Sequence, residues 1–395
     1  MSTSRTVLLP DVKARVDAVR NESVTVRRDL HAHPELAWQE ERTTRVLYDR
    51  LLAAGLSPEI LPTGTGLICD IGSGDTCVAL RADIDALPVT EVIDSPFRST
   101  RPGVAHACGH DVHTAALLGA GLVLAGMADD GVLDRRIRLI FQPAEETVPG
   151  GAQEVILAGG IDGVHRIYGL HCDPRLDTGK VGLRVGALTA ASDRVLIRLS
   201  GAGGHTSRPH LTGDLVHALG TLATDLPLAL ARRTDPRAAV TLVWGRVTAG
   251  SVANAIPSRG ELEGTVRSLD STVWSQAAEL IPVLAQQLVA PYRVEIDTEV
   301  THGVPPVMND ALAIDVLRRS VEQTLGPSAV APTDQSLGGE DFAWYLQHVP
   351  GAMARLGVRL PGVDLAPDLH TPEFVPDEEA IAVGTTILTA AALLD

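Results

Sequence analysis

The sequence predicts an α/β protein in which one α/β domain is interrupted by an inserted ferredoxin-like domain of order β-α-β-β-α-β. Two patterns and the chain length carry that expectation. Strand-like and helix-like segments alternate through the first 186 residues and again after 301, as a layered α/β domain requires. From about Val195 the order changes to strand, helix, two strands, helix, strand, which is the split βαβ arrangement. At 395 residues the chain also exceeds what a single hydrophobic core usually covers. The expected boundaries are 1–186 for the first part of the larger domain, 187–300 for the insertion and 301–395 for the second part.

Each element has a local reason. Asp11 caps a helix running towards His31, and an apolar-periodic stretch around Leu47, Leu51 and Leu52 ends at Gly55. The runs 67–71 and 77–80 flank Gly72-Ser73-Gly74-Asp75, which reads as a hairpin. A small-residue helix over 115–126 precedes an apolar strand over 137–141, and a further strand over 167–170 leads into His171. In the insertion, strands are expected at 195–199, 239–247, 260–267 and 293–300, with helices at 214–232 and 272–288. Glu261 and Glu263 alternate with Leu262, Gly264 and Val266, the pattern of a sheet with one wet face.

Composition narrows the function. With 45% apolar residues the chain has ample core, while a formal charge of −16 and only two lysines, Lys13 and Lys180, leave no basic stripe for phosphates. Nucleic acid is therefore not expected as a partner. No apolar run reaches the roughly 18 residues that span a bilayer, and Met1-Ser2-Thr3-Ser4-Arg5 opens no signal-peptide core, so a cytoplasmic protein with no membrane partner is expected. Four cysteines are too few for a disulfide scaffold. Cys69 and Cys77 read as strand core; Cys108 and Cys172 lie at or beside histidines and read as chemical.

The chemistry concentrates in His106-Ala107-Cys108-Gly109-His110-Asp111-Val112-His113 and in Phe141-Gln142-Pro143-Ala144-Glu145-Glu146. Thiolate and imidazole suit zinc and later first-row metals, whereas carboxylates suit manganese and can take a proton from an activated water. Ligands and a base in two short segments point to hydrolysis. His171 follows another strand, and open sheets place their ligands at such ends.

These segments, with Asp29-Leu30-His31-Ala32-His33-Pro34-Glu35-Leu36, Arg81-Ala82-Asp83-Ile84-Asp85-Ala86-Leu87-Pro88, Gly169-Leu170-His171, Gly203-Gly204-His205, Gly339-Glu340-Asp341-Phe342 and His370, occur in a familiar order. The chain resembles the dinuclear-metal amidohydrolases, the family of hippurate hydrolase, plant indole-acetyl-amino-acid hydrolases, aminoacylases and, more distantly, carboxypeptidase G. The resemblance implies a metallopeptidase-like catalytic domain with an inserted lid and dimerisation domain. It implies that Cys108 bridges two divalent ions, manganese or zinc with nickel or cobalt tolerated, and that His110, Glu146, His171 and His370 complete the ligand set. It makes Glu145 the general base, since neighbouring side chains in extended backbone face opposite ways. It implies a homodimer in which His205 reaches the partner's site to stabilise the oxyanion, with Asn254 and Arg267 on the substrate carboxylate. The implied substrate is an N-acyl amino acid or related amide.

Two departures matter. Arg81 stands where peptidase branches of the wider family carry a liganding histidine; arginine stays protonated and cannot ligate. That favours the branch whose Cys motif replaces a bridging aspartate, leaves exopeptidase activity as the alternative, and gives Asp83 the task of orienting a liganding histidine. Cys172-Asp173 follows His171 where relatives carry apolar residues, so Cys172 either tunes the metal or narrows the pocket. His31 and His33 read as structural, and Asp111 and His113 as supports for the ligands. Glu340 and Asp341 also suit the start of a helix. A hydrolase using Cys108 as nucleophile and His110 as base, or a non-catalytic metal-binding protein, are the readings from other classes; neither gives Glu146, His171, His370 and Glu145 a joint purpose.

Overall fold

The computed structural model describes residues 10–395 and divides into two compact units. The first comprises the chain up to Gly186 with Asn309–Asp334 and Trp344–Asp395; the second comprises Ala187–Met308 and Gln335–Ala343. The insertion thus runs to Met308 rather than 300, because the strand Glu295–Val304 carries the sheet beyond that point, and a later segment returns to it.

The first unit is built on an eight-stranded mixed sheet. Its order is Glu59–Ile60, Leu67–Ile71, Arg136–Gln142, Cys77–Asp83, Val164–Asp177, Gly351–Arg359, Val181–Leu183, Val330–Pro332. The central strands Arg136–Gln142, Cys77–Asp83, Val164–Asp177 and Gly351–Arg359 run parallel, as apolar, doubly covered strands do. Every residue of Cys77–Asp83 is buried. That explains why the expected hairpin does not form. Arg136–Gln142 lies between Leu67–Ile71 and Cys77–Asp83, antiparallel to the first and parallel to the second. The Gly72-Ser73-Gly74 segment passes over the incoming strand so closely that a Cβ on Gly72 would lie 2.6 Å from the Arg135 carbonyl oxygen. Cys69 and Cys77 are strand core, as read. In helix Glu41–Ala53, Leu47 and Leu51 are buried but Leu52 faces out.

Helices Pro10–Ala32, His110–Asp129 and Glu379–Leu394 pack on one another. His110–Asp129 is long enough, and apolar enough on average, to cross a membrane, but it holds no unbroken apolar run of that length and is the buried core helix of this unit. Its Asp111 is fully buried and ionised: burial opposes the charge, but Arg27 and His31 outweigh burial and hold the carboxyl far below its usual range. Arg27 Nε donates to Asp111 Oδ2 at 2.7 Å, and Arg27 also reaches Glu378 at the start of the third helix. His31 joins Asp111 at 2.8 Å through Nδ1 and Glu91 at 3.1 Å through Nε2. With both nitrogens engaged by carboxylates, His31 ties helices together.

The second unit has the β-α-β-β-α-β order expected. Its four strands, Ala191–Ser200, Thr241–Ala249, Arg259–Ser268 and Glu295–Val304, form an antiparallel sheet in which Arg259–Ser268 and Ala191–Ser200 are central. Helices Leu215–Arg233 and Ser271–Val289 cover one face through Leu219, Leu222, Leu226, Ile281 and Leu284, packed on Ile197, Leu262 and Val266. The other face carries ion pairs such as Arg194 and Arg246 with Glu263.

Replacing Arg27 by Met strands the buried Asp111 charge and is expected to destabilise the protein by about 3 kcal/mol. Arg28→Met, at a largely exposed pair with Glu378, should stay within about 1 kcal/mol. Denaturant midpoints of the two variants check this; equal midpoints would contradict it.

Candidate metal centre

Four separate segments of the first unit deliver the candidate ligands. The first is the loop into helix His110–Asp129, where Gly109 takes a left-handed φ of 83°. No other residue fits there, because a Cβ would lie 2.7 Å from Cys172 Sγ. The turn brings Cys108 and His110 to one place. The second segment follows strand Arg136–Gln142. Ala144 adopts φ 53°, a left-handed conformation that costs an alanine roughly 1–2 kcal/mol. Three hydrogen bonds hold it: Ala144 N–H donates to Glu40 Oε1 at 2.7 Å, Gly151 N–H to the Ala144 carbonyl at 2.9 Å, and Glu146 N–H to Asp85 Oδ2 at 2.9 Å. His171 comes from strand Val164–Asp177, and His370 from a loop where it too has a positive φ, its N–H bonded to the Ala107 carbonyl.

The donor atoms form two overlapping sets. Cys108, His110 and His171 make one, and Cys108, Glu146 and His370 the other, each with its atoms within 4.8 Å of one another. Cys108 Sγ is 3.6 Å from His171 Nε2 and 3.3 Å from His370 Nε2, and His370 Nε2 is 3.2 Å from Glu146 Oε1. Ligands at about 2.0–2.3 Å from a tetrahedral ion are separated by about 3.3–3.8 Å, so these spacings are those of a ligand cage. Glu145 borders it, with Oε2 4.0 Å from His110 Nε2.

Hydrogen bonds prepare the imidazoles. His171 Nδ1–H donates to the Cys172 carbonyl at 2.8 Å, which leaves its Nε2 lone pair towards Cys108. Burial, with Arg355 and His113 nearby, keeps His171 neutral, well below the usual imidazole range. His110 Nδ1 donates to Asp85 Oδ1 at 3.2 Å. Its buried Nε2 has no hydrogen-bond partner among the described residues and sits 3.8 Å from carboxylate oxygens of Asp83 and Glu146. Burial opposes a charge on His110, but Asp83 and Asp85 outweigh it and push the ring up to about 10. Positive charge is demanded at that nitrogen. The Cys108 thiol is pushed well above its usual range by burial and by Glu146, Glu145 and Asp83. It becomes a thiolate only beside a compensating cation. Soft, imidazole and carboxylate donors, an orphaned nitrogen and excess negative charge all fit a pair of divalent ions.

The structure corrects one assignment and answers an open one. Asp83 does not hydrogen-bond a candidate ligand. Arg81 Nη1 donates to its Oδ2 at 2.8 Å, and His113 Nδ1 donates to its Oδ1 at 2.6 Å. His113 Nε2 then accepts from Cys172 N–H at 2.8 Å, so both its nitrogens are spent. The carboxylate that orients His110 is Asp85, which sequence reasoning missed although it lies two residues along the same motif. Cys172 points away from the cage, its Sγ 3.8 Å from the Gly109 carbonyl oxygen, as strand alternation after His171 requires. It is in none of the donor groups and packs beneath Gly109, which lies between Cys108 and His110 in sequence.

His205, Asn254 and Arg267 belong to the second unit. His205 and Asn254 share one ribbon, in which Gly204–His205 pairs with Ala255–Ile256 and the Asn254 carbonyl accepts from Thr206 N–H. Ser207 N–H donates to Nδ1 of the exposed His205 ring at 3.1 Å, so Nε2 is the nitrogen left to other partners. Arg267 lies on the four-stranded sheet and donates through Nη1 to the Leu337 carbonyl.

Residues 79–394 match the peptidase family M20/M25/M40. The chain belongs to that family. A Rhodococcus jostii protein named putative glutamate–cysteine ligase 2-3 is 51% identical over 93% of this chain, which spans about half (46%) of that protein's length. A Bacillus subtilis N-acetyl-L-cysteine deacetylase is 38% identical over 96% of this chain and 90% of its own. A crystal structure from Bacillus subtilis, described as a dinuclear metal binding peptidase of the M20 family, superposes with a TM-score of 0.82 at 32% identity, covering 95% of this chain and 98% of that one.

Because Cys108 is common to both donor groups, Cys108→Ala is expected to cost at least one metal equivalent if that thiol serves both. Elemental analysis of the purified variant measures this, and full occupancy would rule out a shared ligand.

Proposed function

We propose that this chain hydrolyses the amide bond of N-acyl amino acids or closely related amides, releasing a carboxylate and an amine. The observation that carries the reading is Glu145 beside a five-donor cage, within reach of His110 and Glu146 but absent from both donor groups that contain Cys108. The N-acetyl-L-cysteine deacetylase among the relatives supports the substrate class. Arg81, bonded to Gln142 and Asp83 in the core, supports the amidohydrolase branch over an exopeptidase with a histidine ligand there.

Cys108, His110, Glu146, His171 and His370 would hold two divalent ions, manganese or zinc, whose Lewis acidity lowers the pKa of water and polarises the scissile carbonyl. Glu145 takes the proton from the attacking water as the oxygen bonds to the carbonyl carbon. It later returns that proton to the amine nitrogen as the carbon–nitrogen bond breaks. His205, from the partner subunit of a homodimer, donates through Nε2–H to the developing oxyanion, a contribution of about 3 kcal/mol for one donor. The Ser207 contact supports this by engaging Nδ1 as an acceptor and leaving Nε2 to the substrate. Asn254 and Arg267 hold the substrate carboxylate; guanidinium carries five donors, so the bond to Leu337 does not exhaust it. No acyl-enzyme forms, in keeping with a Cys108 thiol pushed up rather than down.

Glu145→Gln should retain both metal equivalents while lowering turnover of N-acetyl amino acids by at least about 10²-fold. Near-normal turnover would remove Glu145 as the base. Mixing inactive Glu145→Gln with inactive His205→Ala subunits should restore part of the activity if His205 serves the neighbouring site. No recovery after verified subunit exchange would contradict that arrangement.

A further inference from the structure

The segment from Asp29 to Leu36 contributes no candidate ligand, yet it leads to a side chain that reaches the catalytic turn. Glu35 is anchored twice. Its carbonyl accepts from Ala86 N–H at 2.7 Å, next to Asp85, and its carboxylate accepts from Arg42 N–H at 3.1 Å and Thr43 N–H at 2.8 Å. The start of helix Glu41–Ala53 is thereby fixed. Just before that helix, the Glu40 carbonyl accepts from Thr44 N–H and, at 2.6 Å, from Thr44 Oγ1, which itself accepts from Gly66 N–H. The Glu40 backbone has little freedom.

The Glu40 side chain is fully buried. Its Oε1 accepts from Ala144 N–H at 2.7 Å, and its Oε2 has no hydrogen-bond partner among the described residues. Burying a carboxyl with one oxygen unsatisfied is destabilising, and an apolar side chain would avoid that penalty. Global stability therefore does not explain it. Ala144 does, because it is the strained residue whose conformation directs Glu145 and Glu146.

We propose that Glu40 is a positioning residue: by holding Ala144 N–H it fixes the turn that aims Glu146 into the cage with Cys108 and His370 and sets Glu145 beside it. This rests on Glu146 and Glu145 acting as ligand and base. What matters is the reach of the acceptor, not its charge. Burial, aided by Asp85, pushes the Glu40 carboxyl up to about 7 against the opposing pull of the Glu40, Ala144 and Trp38 backbone N–H groups, and an oxygen lone pair is available to Ala144 in either protonation state.

The test compares Glu40→Gln, which keeps reach without charge, Glu40→Asp, which keeps charge without reach, and Glu40→Leu, which keeps neither. Zinc affinity is measured on the full chain by competition with a chromogenic chelator, alongside kcat and KM. In Glu40→Asp and Glu40→Leu, one of two zinc ions should bind about 10-fold to 100-fold more weakly, with a comparable fall in kcat and little change in KM. Glu40→Gln should remain within about 3-fold of the parent in both. If Glu40→Leu fails to fold, Glu40→Asp against Glu40→Gln carries the comparison. Parent-like zinc binding in Glu40→Asp, a fall in thermal midpoint alone, or a Glu40→Gln as weak as Glu40→Asp would overturn the proposal. Because zinc affinity is read without turnover, an active Glu145→Gln would defeat the base assignment and leave the Glu40 result standing.

Discussion

Cys108, Glu145, Glu146, Asp83 and Asp85 crowd ionisable sulfur and oxygen around one buried region, and an uncompensated buried charge costs several kcal/mol. The rest of the first unit can be understood as a response to that constraint. Arg81, itself completely buried, neutralises Asp83 from within the sheet. His113 takes the other Asp83 oxygen and passes its remaining lone pair to a backbone donor. What stays uncompensated is concentrated at His110 Nε2, Glu146 and Cys108, the donors of the candidate cage. Compensation by side chains stops where the chemistry begins.

The same crowding explains the backbone. Five donors converge only because several residues accept unfavourable conformations. Gly109 is left-handed and closely packed against Cys172, and Ala144 and His370 are left-handed without being glycine. Such strain persists only where surrounding contacts over-determine it. The bonds from Ala144 to Glu40 and Gly151, from Glu146 to Asp85, and from His370 to Ala107 are those contacts. Parallel central strands provide the frame, since Asp83, Gln142 and His171 all lie on strands buried on both faces.

Much of this was legible in the sequence because dense ligand motifs are local. Cys108 with His110, and Glu145 with Glu146, declare their chemistry within a few residues, and the β-α-β-β-α-β order of the second unit follows from periodicity alone. What escaped depends on pairing across long separations. Glu40 and Ala144 are ordinary residues until the fold joins them. Asp85 and Asp83 look equivalent in Arg81-Ala82-Asp83-Ile84-Asp85, and only the structure shows Arg81 and His113 claiming Asp83 and leaving His110 to Asp85. The strands flanking Gly72 looked like a hairpin because nothing local announces that Arg136–Gln142 will lie between them. His113 reads in sequence as a support for the ligands, and in space both its nitrogens are engaged, by Asp83 and by the Cys172 N–H.

The central claim is that one thiolate serves two ions. Anomalous diffraction from crystals grown with zinc measures it directly. The account predicts two peaks about 3.5–4 Å apart, each about 2.3 Å from Cys108 Sγ, with His110 and His171 on one ion and Glu146 and His370 on the other. A single peak, or a fully occupied pair in which Cys108 Sγ bonds only one ion, would contradict it.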